Sequence, residues 1–375
     1  MRARAASFVV RGGSPARVAR AAAETARSLT RPSAALLFAA GELRGRLEEL
    51  GQALREHLPE VPILVAGGHG VLTERGELEQ ENAVCGMVWT GGEAESLVAP
   101  PEADVGSALS RALESRATPR ATAFVFARPR NFHPHAAEPL ATLRFGAFLG
   151  GGTAGDGQVL ALAPGREPAL ADSGALVSLG LRPPVVTSSP ACRLLMPLAR
   201  ITEVRGSMVL ELEGERALDV LAASAEGLVE EPLVFVALAR EDAEDDEPAE
   251  LLVRGIQGVD PAERGVVISE EVRPGMRMAF AVRDAAAARL QLEGAVQRLA
   301  RDIAGAAPLF AIYVSCAGRG VSLHGTPDVD LRIIRARFPD IPIAGMHSSY
   351  EIAPHGDAPA LKLYTGVLAL FTMPS

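Results

Sequence analysis

The sequence has few cysteines and no long apolar stretch. Its 375 residues include three cysteines, Cys85, Cys192 and Cys316, and no CxxC pair. Any disulfide would leave one thiol unpaired, which favours a reducing compartment over secretion. No run approaches the roughly 18 apolar residues that span a bilayer, and the N-terminal segment lacks a signal peptide's apolar core. We therefore predict a cytoplasmic protein without a membrane partner.

The N-terminal segment has few acidic residues and is rich in Ala and Arg, as transit peptides are. Because Ala and Arg are frequent throughout the chain, we favour the other interpretation. It places a strand near Phe8 and an amphipathic helix after Ser14.

Basic residues are also in deficit. The net charge of -9 argues against a nucleic-acid partner, because phosphate contacts need a concentrated basic face. A hydrophobic content of 48% is enough for a large core. We predict two domains, residues 1–198 and 199–375, with a proline-rich boundary around residues 182–190.

Strand and helix patterns alternate along the chain, which predicts an α/β to mixed α+β fold of two pseudo-repeated halves. The apolar run AALLFAA at 34–40 predicts a buried strand, and leucines from Leu43 to Leu58 recur at helical spacing. A related pattern near the C-terminus has a strand at 309–314 and a helix with Thr326 as N-cap and Pro327 at its first position.

A repeat is visible where these helices end. LPEVPI at 58–63 matches FPDIPI at 338–343, and each leads through a strand into a polar loop. A weaker third copy runs from residue 136 to 149 and enters the glycine-rich stretch 150–157. We expect mixed sheets flanked by helices, with a cleft at the carboxyl ends of the strands, where ligands bind in α/β sheets.

Several segments carry a family resemblance that extends over nearly the whole chain. In order, they are LFAA at 37–40, LGGGTAGDG at 149–157, the passage 192–221, the passage 258–284, SCAGRG at 315–320 and AGMHSSYEIAP at 344–354. Together they resemble the FIST family. The resemblance implies a stand-alone sensory module that binds a small ligand, such as an amino acid or small carboxylate, and signals through a separate protein partner. FIST sequences usually have glycine where this chain has Tyr350, whose ring changes both backbone freedom and pocket volume.

If the repeats share one sheet, three loops face one pocket. The predicted ligand-binding residues are Gly67, Gly68, His69, Gly152, Thr153, Asp156, Ser315, Cys316, Arg319, His347, Ser348, Tyr350 and Glu351. Arg319 could hold a carboxylate by two parallel hydrogen bonds, while Glu351 or Asp156 takes an ammonium group. The alternative is that Arg319 pairs with Glu351 or Asp156 and braces the loops.

A second function stays open, a cysteine-dependent small-molecule enzyme. It would use Cys316 as nucleophile if His347 or His324 lowered its pKa. Most cysteines after a buried strand are packing residues, so catalysis is the alternative rather than the leading hypothesis. A third hypothesis is a scaffold whose acidic segment 241–250 docks a partner.

Two further motifs give weak signals. Gly150, Gly152 and Gly155 have GxGxxG spacing, but the following residues read as a strand rather than the helix that a dinucleotide site needs. HPHAAE at 133–138 has two imidazoles and a carboxylate, yet reads better as a solvated loop than as a metal site. We predict neither a cofactor nor a metal.

Overall fold

The computed structural model describes residues 3–102, 104–228, 233–239 and 251–373. Within these ranges the chain forms 26 strands and eight helices, arranged as three six-stranded sheets and one closed barrel. The predicted mixed α+β fold, with mixed sheets flanked by helices, is confirmed. The acidic segment 241–250 lies outside the described residues.

The first unit contains β1 (Ala5–Arg11), α1 (Pro15–Ser28), β2 (Ala34–Ala40), α2 (Leu47–His57), β3 (Ile63–Gly67), β4 (Gly70–Thr73), β5 (Gly76–Glu79) and β6 (Ala83–Trp89). The predicted N-terminal strand and helix are both present. Every residue of β2 is buried, because helices cover one face of its sheet and the central core covers the other. The leucine helix begins later than predicted: a 3₁₀ turn, Gly41–Gly45, precedes α2, and Gly45 is a poor helix former.

The second unit contains β7 (Glu93–Val98), α3 (Val105–Leu113), β8 (Ala121–Ala127), α4 (Glu138–Ala141), β9 (Ala147–Gly152), β10 (Val159–Leu162), β11 (Ala169–Ala171) and β12 (Ser173–Leu179). We expected a loop from Gly150 onward, but Gly150 and Gly152 continue β9. A Cβ at Gly150 would collide with the Val125 carbonyl oxygen on the paired strand, so glycine is required there. The strand expected after this stretch is β10.

Next come β13 (Val185–Pro190), β14 (Cys192–Leu194), β15 (Ala199–Arg205), β16 (Met208–Leu212), β17 (Glu215–Arg216), α5 (Ala217–Ala225), β18 (Val234–Ala239), β19 (Leu252–Asp260), β20 (Gly265–Ile268) and β21 (Arg277–Arg283). Strands β21, β15, β16, β20, β19 and β18 pair in that order, and β18 pairs back with β21 to close the barrel. The proline-rich stretch forms β13, an edge strand of the third sheet, where proline is tolerated.

The third unit adds α6 (Ala285–Asp302), β22 (Pro308–Cys316), α7 (Val321–His324), α8 (Val329–Arg337), β23 (Ile343–Ser348), β24 (Glu351–His355), β25 (Ala358–Lys362) and β26 (Thr365–Thr372). Helix α8 begins two residues later than predicted. Its N-cap is Asp328, in a left-handed conformation with φ of +65°. The Asp328 carboxylate accepts a hydrogen bond from Glu77 N at 2.6 Å instead of capping its own helix.

All three units repeat one arrangement. Each has a strand, a helix, a parallel strand, a hairpin and a returning antiparallel strand, as in β2–α2–β3–β4–β5–β6. The matching segments 58–63 and 338–343 both join a helix end to the parallel strand, so the predicted repeat is confirmed. The third copy, from α4 into β9, is confirmed as well.

Each hairpin pairs with the sheet of a neighbouring unit instead of its own. Hairpin β4–β5 adds to β23 of the third sheet, β10–β11 adds to β3 of the first, and β24–β25 adds to β9 of the second. Each unit therefore gives two strands to one neighbour and receives two from the other. This cyclic exchange ties residues 70–79 to the C-terminal sheet and residues 351–362 to an N-terminal one.

Helices cover the outer faces of the three sheets, and the inner faces share one core. Four rings from all three units make a closed circuit in that core. Trp89 lies 5.9 Å from Phe124 and 5.6 Å from Phe310 between ring centroids. Phe371 completes the circuit at 4.3 Å from Phe310 and 5.9 Å from Phe124.

Candidate functional site

The loops after β3, β9 and β23 come together, because these three strands occupy equivalent places in the three units. Hydrogen bonds link the loops in a cycle. Ala154 N donates to Gly67 O, Gly152 N donates to Tyr350 O, and His69 N donates to His347 O, each at 2.8 Å. The predicted loops are therefore neighbours in space.

The loops pack closely against one another at the junction. A Cβ at Gly68 would lie 2.8 Å from Gly70 O, and one at Gly152 would lie 2.5 Å from the Tyr350 ring. Ser349 Oγ donates to Thr153 O at 2.7 Å. The Tyr350 ring occupies the space beside Gly152 and stacks on Phe132 at 5.3 Å. Close contact of the loops thus requires glycine at 68 and 152.

Arg319 is buried, with 1% of its surface exposed. Its Nε and Nη2 donate to the Asp330 carboxylate at 2.8 and 3.2 Å, and Nη1 donates to Ser189 O at 2.9 Å. The bracing alternative named Glu351 or Asp156 as the ion-pair partner, and this was wrong. The partner is Asp330, which α8 places in its first turn.

The Asp330 carboxylate has further hydrogen-bond partners. Tyr313 Oη donates to it at 2.6 Å, and His324 Nε2 lies 3.2 Å from its other oxygen. Burial alone would raise the pKa of Asp330, but Arg319 and these hydrogen bonds lower it below its ordinary value. Arg319 thus holds the loop 317–328 against the sheet, and its role as a ligand anchor stays a prediction.

Glu351 is a second fully buried acid in this region. Ser348 Oγ donates to Oε1 at 2.7 Å and Thr365 N donates to Oε2 at 3.3 Å. Burial raises the pKa of Glu351 well above its usual range, and these hydrogen bonds with the charges of Arg319 and Lys362 offset this only in part.

The raised pKa makes stability fall with increasing pH. Above the ordinary glutamate pKa of about 4.3, the unfolded chain loses a proton that folded Glu351 keeps, at a cost of up to about 1.4 kcal/mol per pH unit. Glu351→Gln is expected to reduce the fall in unfolding free energy between pH 5 and 7, by at most about 1.4 kcal/mol per pH unit. Urea unfolding over this range measures it; an unchanged slope would show that Glu351 is ionised in the folded protein.

Cys316 and His347 do not form the pair that the enzyme hypothesis needs. Strand pairing places Ser315 opposite His347, so Cys316 points to the other face of the sheet. Burial raises the pKa of Cys316 to about 12. A thiol that stays protonated near neutral pH is a poor nucleophile.

An open cleft of about 380 Å³ lies beside the loop junction. It is lined by Arg44, Glu48, Leu47, Asp156, Gln158 and neighbouring glycine backbone. Asp156 is the predicted site residue that it contains, although 78% of this side chain is exposed and it lies 3.6 Å from Arg130. Burial, and next the charge of Arg44, lower the pKa of His69. Predicted His69 therefore lies within electrostatic reach of the cleft.

Sequence reasoning missed Arg44. Arg44 lies in the turn after β2, shortly after Gly41. An arginine near a glycine at the carboxyl end of a buried strand is also the pattern that drew attention to Arg319. Arg44 is half-buried and has no hydrogen-bond or ion-pair partner among the residues that the structure describes. Its guanidinium is thus free for a ligand.

The two remaining motifs lie elsewhere. His135 Nδ1 lies 2.9 Å from Glu138 Oε1 on the surface, at the mouth of another cleft of about 580 Å³ beside the barrel. The GxGxxG spacing lies on β9 and in the turn that follows it, and β10 comes next instead of a helix.

Family models match two consecutive parts of the chain. The FIST N domain matches residues 33–215, and the FIST C domain matches residues 215–354. The chain belongs to the FIST family. FIST domains are sensory, ligand-binding modules. In the described ranges, no helix of this FIST protein is both long and apolar enough to cross a membrane.

Relatives of similar length occur in mycobacteria. An uncharacterized protein of Mycobacterium tuberculosis is 28% identical over 378 residues, covering 94% of this chain and 96% of its own. An uncharacterized protein of Mycobacterium bovis is 28% identical over 358 residues, covering 91% of this chain and 90% of its own. The similarity thus extends over most of the length of both relatives.

Proposed function

We propose that this protein is a cytoplasmic sensor that binds a small zwitterion or carboxylate, such as an amino acid, in the cleft at Arg44. The observation that carries the proposal is an arginine with no partner in the described chain, lining a cleft beside the glycine-rich loops. A guanidinium can hold a carboxylate by two parallel hydrogen bonds. Glu48 and Asp156, on the same walls, suit an ammonium group.

The position of the cleft supports a sensory role. Its walls come from the first unit and from the loop after β9, which is hydrogen-bonded to the loops of the other two units. A ligand that fits one arrangement of these loops better than another would shift their populations. A separate partner protein that reads this junction would then receive the signal.

The test is thermal unfolding in the presence of amino acids and small carboxylates. A ligand at about a hundred times its dissociation constant stabilises the fold by about 2.7 kcal/mol, which raises the melting temperature measurably. We expect Arg44→Gln to weaken binding about 10- to 100-fold, since a charge-assisted hydrogen bond contributes about 1.5–3 kcal/mol.

Two further variants locate the site. Arg46→Gln removes the same charge two residues away, at a side chain that pairs with Glu49 on the surface, and it should bind like wild type. Arg319→Lys keeps the charge but loses the bidentate geometry. If Arg319→Lys abolishes the shift and Arg44→Gln does not, the ligand binds under the loop 317–328 and the cleft is not the site.

A further inference from the structure

Three potential metal ligands converge on the helix-covered face of the third sheet. They are Glu77 and Glu79 on β5 and His347 on β23, and one donor atom from each lies within 4.8 Å of the other two. Glu77 and Glu79 are two positions apart on one strand, so their side chains point to the same face. The pairing register places Glu79 opposite Gly70 and Gly70 opposite His347.

Two glycines make room for this cluster. Gly70 stands between Glu79 and His347, and a Cβ there would lie 2.9 Å from the imidazole Cδ2 of His347. Gly320 lies above, in the loop 317–328, and a Cβ there would collide with Glu79 Oε1. Side chains at these two positions would displace His347 and Glu79.

His347 is buried, and no hydrogen bond within the described part of the chain accounts for its burial. It is 2% exposed, and neither ring nitrogen has a hydrogen bond of acceptable geometry with the described residues. Burial lowers the pKa of His347, while the charges of Glu79 and Asp330 oppose this. A buried imidazole without a partner is costly, and it faces two carboxylates at metal-ligand spacing.

One oxygen of each carboxylate accepts a backbone hydrogen bond, and the other oxygen accepts none from the described residues. Val321 N donates to Glu79 Oε1 at 2.8 Å, and Asp328 N donates to Glu77 Oε2 at 2.9 Å. The second oxygen of each has no partner in the described part of the chain, and neither group has an ion pair there. Metal-binding carboxylates are commonly oriented by such outer hydrogen bonds.

We propose that Glu77, Glu79 and His347 bind one divalent first-row transition ion, such as Mn²⁺, Co²⁺ or Zn²⁺. One imidazole nitrogen and two carboxylate oxygens suit these ions, whereas Ca²⁺ and Mg²⁺ prefer all-oxygen sites. Glu77 and Glu79 are only half-buried on an edge strand, which gives the ion a path from solvent. Water would complete the coordination.

The site would link distant parts of the chain. Hairpin β4–β5 comes from the N-terminal half, and its attachment to β23 is one of the three hairpin exchanges. A bound ion would crosslink this hairpin to the sheet that receives it. The inference is independent of the proposed small ligand, whose cleft is at the first sheet.

The experiment uses the full-length protein stripped with a chelator and titrated with the metal alone. Loss of the free Mn²⁺ electron-resonance signal and calorimetry with Co²⁺ and Zn²⁺ give stoichiometry and affinity. We expect one ion per chain with a dissociation constant below about 0.1 mM. Glu79→Gln and His347→Gln should each weaken binding roughly 100-fold or more.

Glu81→Gln is the matched control, because it removes the same charge at an exposed residue outside the cluster. It should bind the ion like wild type. Circular dichroism checks that each variant is folded, and Glu77→Gln replaces His347→Gln if the buried substitution prevents folding. The proposal is wrong if no ion binds below about 1 mM, or if all variants bind like wild type.

Discussion

Replacing Asp330 with asparagine is expected to lower the free energy of unfolding by about 3–5 kcal/mol, because Arg319 then stays buried without its carboxylate. Both oxygens of Asp330 face Arg319, and Tyr313 and His324 share them. Asparagine has nearly the same side-chain volume as aspartate, so the lost stability results from removing the charge and not from opening a cavity. Urea unfolding at neutral pH, followed by circular dichroism, measures it.

Two controls test the cause. Glu49→Gln breaks the ion pair with Arg46 on the surface, where water screens both groups, and should change stability little. The double variant Arg319→Met with Asp330→Leu removes both buried charges and should recover part of the loss. If the double variant is less stable than Asp330→Asn, the uncompensated charge is not the cause.

Trp89→Ala is expected to destabilise the protein by about 3–5 kcal/mol, the usual range for deleting a large buried aromatic ring. Trp89 is fully buried and stacks on Phe310 at 5.6 Å between ring centroids, where all three units meet. A cavity there removes contacts from three sheets at once. Because Trp89 is the chain's one tryptophan, denaturant unfolding is followed by circular dichroism.

Trp89→Phe is the matched comparison. It keeps an aromatic ring in the circuit and removes an indole N–H that has no hydrogen-bond partner in the described core. Removing an unsatisfied buried donor compensates part of the lost packing. We therefore expect a clearly smaller loss than for alanine, and equal losses would mean that the ring circuit does not hold the three sheets together.

Much of the fold could be predicted because its signals are local. The run at 34–40 and the run at 309–314 are apolar at every position, as strands covered on both faces must be. The match of 58–63 with 338–343 revealed the repeat because each unit uses the same helix-to-strand junction. The domain boundary at 198 stays a prediction, since the exchanged hairpins cross between the two halves.

The candidate site was less accessible to sequence reasoning. Arg319 attracted attention because two glycines flank it, but its charge is already paired with Asp330. The spacing of residues along the sequence does not show which acidic residue a long arginine side chain contacts in the folded protein. Arg44, which is free, has the same kind of position and carries no distinguishing motif.

The sequence alone predicted the buried strands at 34–40 and 309–314, the helices that follow them and the repeat, because hydrophobic period and glycine placement act over a few neighbouring residues. The FIST resemblance came from the order of several longer segments, and the family models confirmed it. The tertiary structure alone decided which residues meet. Hairpin exchange brings Glu77 and Glu79 beside His347, and helix docking gives Arg319 its carboxylate. Such pairings depend on sheet register and on packing between distant segments, neither of which a local pattern contains.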